Sequence, residues 1–561
     1  MKKATAVVLF VLVVNCASMN AAGVRAVRVL LPAQPMPLER EAAQLLAREI
    51  TERCGAKVRF QGRAPLTVEL KVNGSGAADS FAITDRPGGG ILITGSNARS
   101  LLSGVGRLIR DSSFTDGGFA PATWRGKDAP AARIRGVYLA THFGNFYDAA
   151  PLDEIRPYLE DLAVWGYNAV IFSFPTMSFD GFSDPAAQAS LRRIKDLMQT
   201  AKSLGFDVGM SYAPNQGFRT APAALRAPRF PDPLGERGYY GVNIDSCNPG
   251  GHDYLIDNWK QLLDQFHAMG LDYVVFWPYD EGGSGSAECW PWGARGFPQI
   301  SMEMSRLTRE RYAHCRIVLS TWMYDTPPAG EWEGLARKLS EDKSWVDYIM
   351  ADGHNDFPRY PLDSGVPGNL PLLNFPEISM WGMSPWGGFG ASPLPGHLQR
   401  LWDQVAGKLD GGFLYSEGIF EDINKVIYSR YYWDPKITSL AATREYISFY
   451  YSPRVVDKVA RAIEIMEENH RRGWAKGKLQ ARIGPSALEA EQLMKSADAE
   501  LAPPVRQSWR WRILYLRAQI DAELYRHQLQ IAGPVLKQAF DELNTIYHAQ
   551  HARSDLHPPR L

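Results

Sequence analysis

The chain is 561 residues long, 45% hydrophobic, and balances 61 basic against 61 acidic side chains. That balance gives no electrostatic case for a nucleic-acid partner, and the length is too great for one ordinary domain. Beyond the first 22 residues, no stretch approaches the ~18 uncharged apolar residues that a transmembrane segment needs.

In chain order, the first element is a targeting segment. Lys2 and Lys3 precede an apolar run from Ala4 to Val14, and small residues between Ala17 and Ala22 offer a cleavage zone. This pattern predicts a secretory signal peptide over 1–22 and an exported protein, periplasmic or extracellular. Cys16 leaves a lipid anchor open, although Asn15 before it fits that motif poorly. Cys54, Cys247, Cys289 and Cys315 are scattered along the mature chain. A Cys247–Cys289 bridge is conceivable in an oxidising compartment, but unpaired buried thiols are the favoured reading.

Residues 23–130 read as a small α/β domain. Strands are expected at 27–31, 58–60, 66–72, 81–84 and 90–94, with amphipathic helices over 38–51 and 98–109. Residues 131–430 then change rhythm. Eight short, mostly apolar strands are expected at 134–140, 169–174, 207–212, 273–277, 316–322, 348–351, 372–375 and 412–415, with helical segments between several of them. Eight strands that each feed a crossover predict a (β/α)8 barrel, irregular between the sixth and seventh strands. Residues 431–561 read as a helical domain, with clear segments at 455–469, 486–497, 504–524 and 534–548.

Barrel enzymes place their chemistry where the strands end. The fourth strand ends Trp277-Pro278-Tyr279-Asp280-Glu281-Gly282-Gly283. Neighbouring strand residues point to opposite faces, so both carboxylates can serve one site only where the strand breaks into a loop, and the two glycines permit that bend. Repulsion between close carboxylates would raise the pKa of one, which makes Glu281 the candidate general acid. Further carboxylates follow later strands: Asp352 the sixth, Glu377 the seventh and Glu417 the eighth. Aromatic side chains accompany them, including Trp322, Tyr324, Trp381 and Tyr415. Paired carboxylates with aromatic platforms suit cleavage of a glycosidic bond on an oligosaccharide or glycan. In the first strand, Arg135 needs a partner if buried, and Glu417 or a substrate hydroxyl is the expected one. His142 follows at the rim. No compact metal-ligand motif or nucleotide loop is present, so no cofactor or metal is expected.

These residues carry a family resemblance. Arg135-Gly136-Val137-Tyr138-Leu139 with His142-Phe143 resembles the first barrel strand of family 20 glycoside hydrolases, the β-N-acetylhexosaminidases, and Asp280-Glu281 resembles their strand-4 pair. The resemblance implies that Glu281 donates the proton, that Asp280 orients a 2-acetamido group acting as internal nucleophile, and that Arg135 grips the terminal sugar. Ile91-Leu92-Ile93-Thr94-Gly95 and the helix after it resemble the leading domain of that family and of the family 67 α-glucuronidases. Tyr279 to Gly283, Tyr415-Ser416-Glu417-Gly418, Glu421 to Lys425 and Trp433-Asp434-Pro435 are similar to the DUF4838 grouping and the family 163 endo-β-N-acetylglucosaminidases. Two departures stand out. The glycines follow the acidic pair rather than precede it. Strand 7 ends Asn374-Phe375-Pro376-Glu377 without the tyrosine that holds the acetamide in family 20, leaving Tyr324 or Tyr279 to replace it. The expected activity is therefore retaining, substrate-assisted β-N-acetylhexosaminidase. The alternatives are an inverting α-glucuronidase-like enzyme using Glu281, Asp352 and Glu377, and a secreted glycan-binding protein without catalysis.

Overall fold

The computed structural model describes residues 23–232, 241–280, 282–378, 388–470, 472–475 and 478–552. The leader with Cys16, and the candidate residues Glu281 and Trp381, lie outside them.

The first part is a six-stranded sheet. Its strands are β1 (Ala26–Leu30), β2 (Lys57–Arg59), β3 (Leu66–Val72), β4 (Phe81–Asp85), β5 (Ile91–Gly95) and, beyond a small hairpin of β6 (Ser113–Thr115) and β7 (Gly118–Ala120), β8 (Gly126–Asp128). The spatial order is β2-β1-β3-β5-β4-β8. Period-two alternation buries Val27, Val29, Val68, Leu70, Ile91 and Ile93. Helices Pro37–Cys54 and Ala98–Asp111 flank the sheet, the second capped by Asn97, whose side chain accepts from the Ser100 amide at 2.8 Å.

The second part is a closed parallel barrel of β9 (Ile134–Leu139), β10 (Ala169–Ser173), β11 (Asp207–Tyr212), β12 (Tyr273–Phe276), β13 (Arg316–Ser320), β14 (Tyr348–Asp352), β15 (Leu372–Phe375) and β16 (Gly411–Ser416). It closes as β16 pairs with β9, from Gly411 opposite Ile134 to Ser416 opposite Leu139. Gly411 has φ of 132°, and a β-carbon there would lie 1.8 Å from the Ile134 oxygen, so only glycine fits this seam. Inward-facing residues alternate along each strand: Ile134 and Tyr138, Ala169 and Ile171, Tyr273 and Val275, Tyr348 and Met350, Leu373 and Phe375. Between β14 and β15 there is only one turn of helix, Arg359–Asp363, and the 3-10 turn Pro367–Asn369.

The same alternation corrects the expectation for Arg135. Ile134 and Tyr138 face the barrel interior, so Arg135 has the opposite parity and points outward. Its guanidinium donates to Asp79 Oδ2 (2.8 Å), Gly166 O (2.6 Å) and Ala132 O (2.9 Å), fully buried between the barrel and the leading sheet. The partner is Asp79, neither Glu417 nor a sugar.

After the barrel come helices Ser439–Tyr450, Val456–Glu468, Ser486–Glu500, Trp509–Arg526 and Pro534–Ile546. The eighth barrel helix, Asp422–Trp433, runs across residue 430, the boundary expected from the sequence. All of its residues are buried. Its polar groups are met from every side: Asp422 accepts from Tyr446 Oη (2.9 Å) and Arg510 Nε (2.7 Å), Asn424 donates to Ser392 O (2.7 Å), and Arg430 pairs with Glu445 (3.0 Å). No helix among the described residues is long and apolar enough to cross a membrane.

Candidate active site

A cavity of about 490 Å³ opens at the C-terminal end of the barrel strands. Its floor continues the inward rows: Tyr138 from β9, Ser173 from β10, Ser211 from β11, Trp277 after β12, Trp322 after β13, Phe375 from β15 and Tyr415 from β16. The rings brace one another. Trp277 and Trp322 stack at 5.5 Å, Trp277 meets Phe375 edge-on at 4.7 Å, and Tyr415 meets Tyr138 at 5.6 Å. The Trp322 indole N–H is buried and finds no hydrogen-bond partner among the described residues. His142, Asp280, His354 and Glu377 supply the polar wall.

Of the residues expected at the site, His142, Trp277, Asp280, Trp322 and Glu377 line this cavity. Asp280 adopts a left-handed backbone with φ of 68°, the break in the strand that the sequence calls for. Of the two glycines after it, Gly283 has φ of 125°, a conformation L side chains rarely adopt, and a β-carbon there would lie 2.4 Å from the Phe230 ring.

Tyr279 and Tyr324, the candidates for an acetamide clamp, are instead spent behind the wall. The Tyr279 hydroxyl donates to the buried Glu331 carboxylate, and the Tyr324 hydroxyl donates to Gly293 O at 2.7 Å. Glu331 also accepts from the Gly293 amide at 2.8 Å, which fixes the strand-4 loop from below. Asn215 holds the same loop from the side, donating to Gly283 O (2.8 Å) and accepting from its amide (2.9 Å). Cys247 and Cys289 form a disulfide, contrary to the expectation of free thiols, and so tie the loop after β11 to the loop after β12. Glu331 and Asn215 were not singled out from the sequence, because their partners Tyr279, Gly293 and Gly283 lie in a loop distant along the chain.

Asp352 lies at the end of β14 and reaches the site through His354. Its Oδ1 is 2.5 Å from His354 Nδ1, and His354 Nε2 is 3.5 Å from Glu377 Oε2. Burial works against a charged imidazole, but Asp352 and then Glu377 outweigh it and raise His354 to about 10. Glu417 is buried behind the floor and accepts from Tyr415 Oη at 2.7 Å. Burial drives its carboxyl well above the usual range and the charge of Glu377 drives it further, against the Tyr415 hydrogen bond. Among the described residues, the one group close enough to share a metal ion is Asp245 with Cys247 and Cys289, whose sulfurs are joined to each other.

No family model and no curated protein matches the sequence. Among solved structures, the likeness is to barrel proteins with the same overall layout. A family GH115 4-O-methyl-α-glucuronidase with specificity for decorated arabinogalactans aligns at TM-score 0.63 and 12% identity, over 94% of this chain and 76% of the other. A family GH89 glycoside hydrolase from Clostridium perfringens, captured with GlcNAc-α-1,4-galactose, aligns at 0.59 and 13% identity over 88% of this chain and 62% of its own. A GH20 β-N-acetylhexosaminidase from Streptomyces coelicolor aligns at 0.50 and 13% identity, over 75% of this chain and 92% of its own. At these identities the likeness is one of fold: a (β/α)8 barrel with flanking domains.

Proposed function

We propose that this chain is a glycoside hydrolase that works at the C-terminal mouth of its barrel, with Glu281 as proton donor. The observation that carries the reading is the convergence of Asp280 and Glu377, from the ends of the fourth and seventh strands, on one aromatic-floored cavity of about 490 Å³. Aromatic faces stack on the C–H faces of a sugar ring, and carboxylates at the rim supply the acid and the second group that the chemistry needs. Glu281 would give its proton to the glycosidic oxygen as the C1–O bond breaks. A second carboxylate on the same rim would then attack C1 or deprotonate the attacking water. The solved neighbours, all described as glycoside hydrolases, support this class. The leader-like start and the Cys247–Cys289 bridge support action outside the cytoplasm, where disulfides persist.

A second reading keeps the substrate-assisted route, in which the 2-acetamido oxygen replaces the attacking carboxylate. Asp280 lining the cavity beside Trp277 and Trp322 favours it, as do neighbours that act on or bind N-acetylated sugars. Against it, both substitute clamp tyrosines are engaged elsewhere.

A screen of aryl β-N-acetylglucosaminide, β-N-acetylgalactosaminide, α-glucuronide and intact N-glycans tests the class. Turnover of at least one is expected, with a loss of about 10²–10⁴-fold in Glu281→Gln. Tight binding of one glycan with no hydrolysis of any would point to a binding protein instead. Asp280→Asn separates the routes, since it should fail selectively on the acetamido substrates if the acetamide participates. NMR of the first-formed anomer then gives retention or inversion.

A further inference from the structure

The strand ends that line the cavity are unequal. Those of β9, β12, β13, β15 and β16 bring the aromatic rings of Tyr138, Trp277, Trp322, Phe375 and Tyr415. The ends of β10 and β11 bring Ser173 and Ser211 instead. These two serines are register partners on neighbouring strands, which places their backbones about 4.8 Å apart. Ser173 follows Ile171 by two residues and Ser211 is the register partner of Val275, and both apolar residues face the barrel interior. Both serine side chains therefore point inward. Ala213 continues the row of β11 and Met177 closes the side above β10. Small residues in a ring of large ones leave a recess on that side of the cavity.

Ser173 is 6% exposed and Ser211 4%. Among the described residues, neither hydroxyl has a hydrogen-bond partner. Hydroxyls set into a protein wall are ordinarily paired with another protein group. Alanine at either place would cover the same backbone with no polar group to satisfy. The partner left to the two hydroxyls is what enters the cavity. None of Ser173, Met177, Ser211 and Ala213 is charged. His354 and Glu377 follow β14 and β15, across the barrel from β10 and β11 in the strand order, and Asp280 stands at the edge of the recess after β12.

We propose that Ser173 and Ser211 form a specificity recess that receives one uncharged, hydroxyl-bearing substituent of the sugar ring. The proposal rests on the glycoside hydrolase reading and narrows its substrate. A sugar hydroxyl donates and accepts, as does each serine, so a single substituent can satisfy the pair. An anionic group would lose its water there with no charged side chain in the recess to pair with it. A purely apolar group would leave both serine hydroxyls unmade, which is the unfavourable outcome for a buried polar group.

Calorimetric titration of the full chain with methyl β-N-acetylglucosaminide, methyl β-glucoside and methyl α-glucuronide tests the proposal. For a glycoside that binds, Ser173→Ala and Ser211→Ala should each weaken Kd about threefold to tenfold. Neither should lower Tm, because neither removes a bond within the protein. Ser211→Val fills the recess and should weaken binding more than about tenfold. One monodeoxy analogue of the bound glycoside should bind the parent as weakly as the complete glycoside binds the alanine variants, and should lose nothing further in them. Where the parent turns over a screened substrate, kcat/KM reads the same variants. Parent-like constants in the double alanine variant, or losses that add to those of every deoxy analogue, would overturn the recess and leave the hydrolase reading in place. So would a loss that follows an acetamido or carboxylate group, or a lower Tm in either alanine variant, the mark of a structural role. If the parent binds no glycoside and cleaves no substrate, the hydrolase reading fails and the recess falls with it.

Discussion

Along β15 the inward row runs Leu373, Phe375, Glu377, so the carboxylate reaches the cavity by continuing a period of two past the end of the strand. The row of β12 likewise runs Tyr273, Val275, Trp277. Trp322 continues the row of β13, lining the cavity with its ring while its indole N–H is buried without a partner among the described residues. On the proposed function, Trp322→Phe leaves a smaller aromatic face and removes the donor, so KM should rise about threefold to tenfold with kcat little changed. An equal fall in kcat with unchanged KM would mean that the contact forms only in the transition state. This parity is present in the sequence and brings Trp277 and Glu377 to the cavity. It also forbids Arg135 from the same cavity as Tyr138, a consequence the family resemblance obscured. Asp352 and Glu417 were legible as carboxylates near strand ends. Their division of labour was not, because it depends on His354 and Tyr415, whose reach across strands no local pattern encodes.

Among the elements, the buried Asp79–Arg135 ion pair ties the leading domain to β9. Burial pushes the Asp79 carboxyl up, but Arg135 and Arg99 outweigh it and hold it at about 2. A carboxyl depressed in the fold contributes stability above its unfolded pKa near 3.8 and loses it as pH falls through about 2. Acid unfolding followed by circular dichroism should therefore show a component below pH 4 that disappears in Asp79→Asn. That substitution strands a buried guanidinium, and a cost of about 3–5 kcal/mol at neutral pH is expected. The loops at the other end of the barrel are clipped by Cys247–Cys289, which closes a segment with a sequence separation of 42. By chain entropy this crosslink is worth up to about 4 kcal/mol. Calorimetry with and without reductant should show the lower melting temperature in the reduced protein, and the double Cys→Ser variant should match it. The strands and main helices were legible because their apolar periods are strong. The small β6–β7 hairpin and the Ser439–Tyr450 helix were not, since three-residue strands carry too little pattern and the segment from Pro435 to Leu440 reads as a junction.

At the scale of the whole molecule, the eighth barrel helix has no solvent-facing side. Helices of barrels ordinarily present a polar face outward, but Asp422–Trp433 carries its polar groups inward to partners on both sides. One of those partners, Arg510, lies 88 residues further along the chain. At a synthesis rate of ~5–20 residues per second, those residues take about 4–18 s to emerge. For that interval Asp422 has no guanidinium, and the helix's outer apolar surface has no cover. The eighth barrel helix therefore gains its last polar partner and its outer cover only after the C-terminal segment has been made.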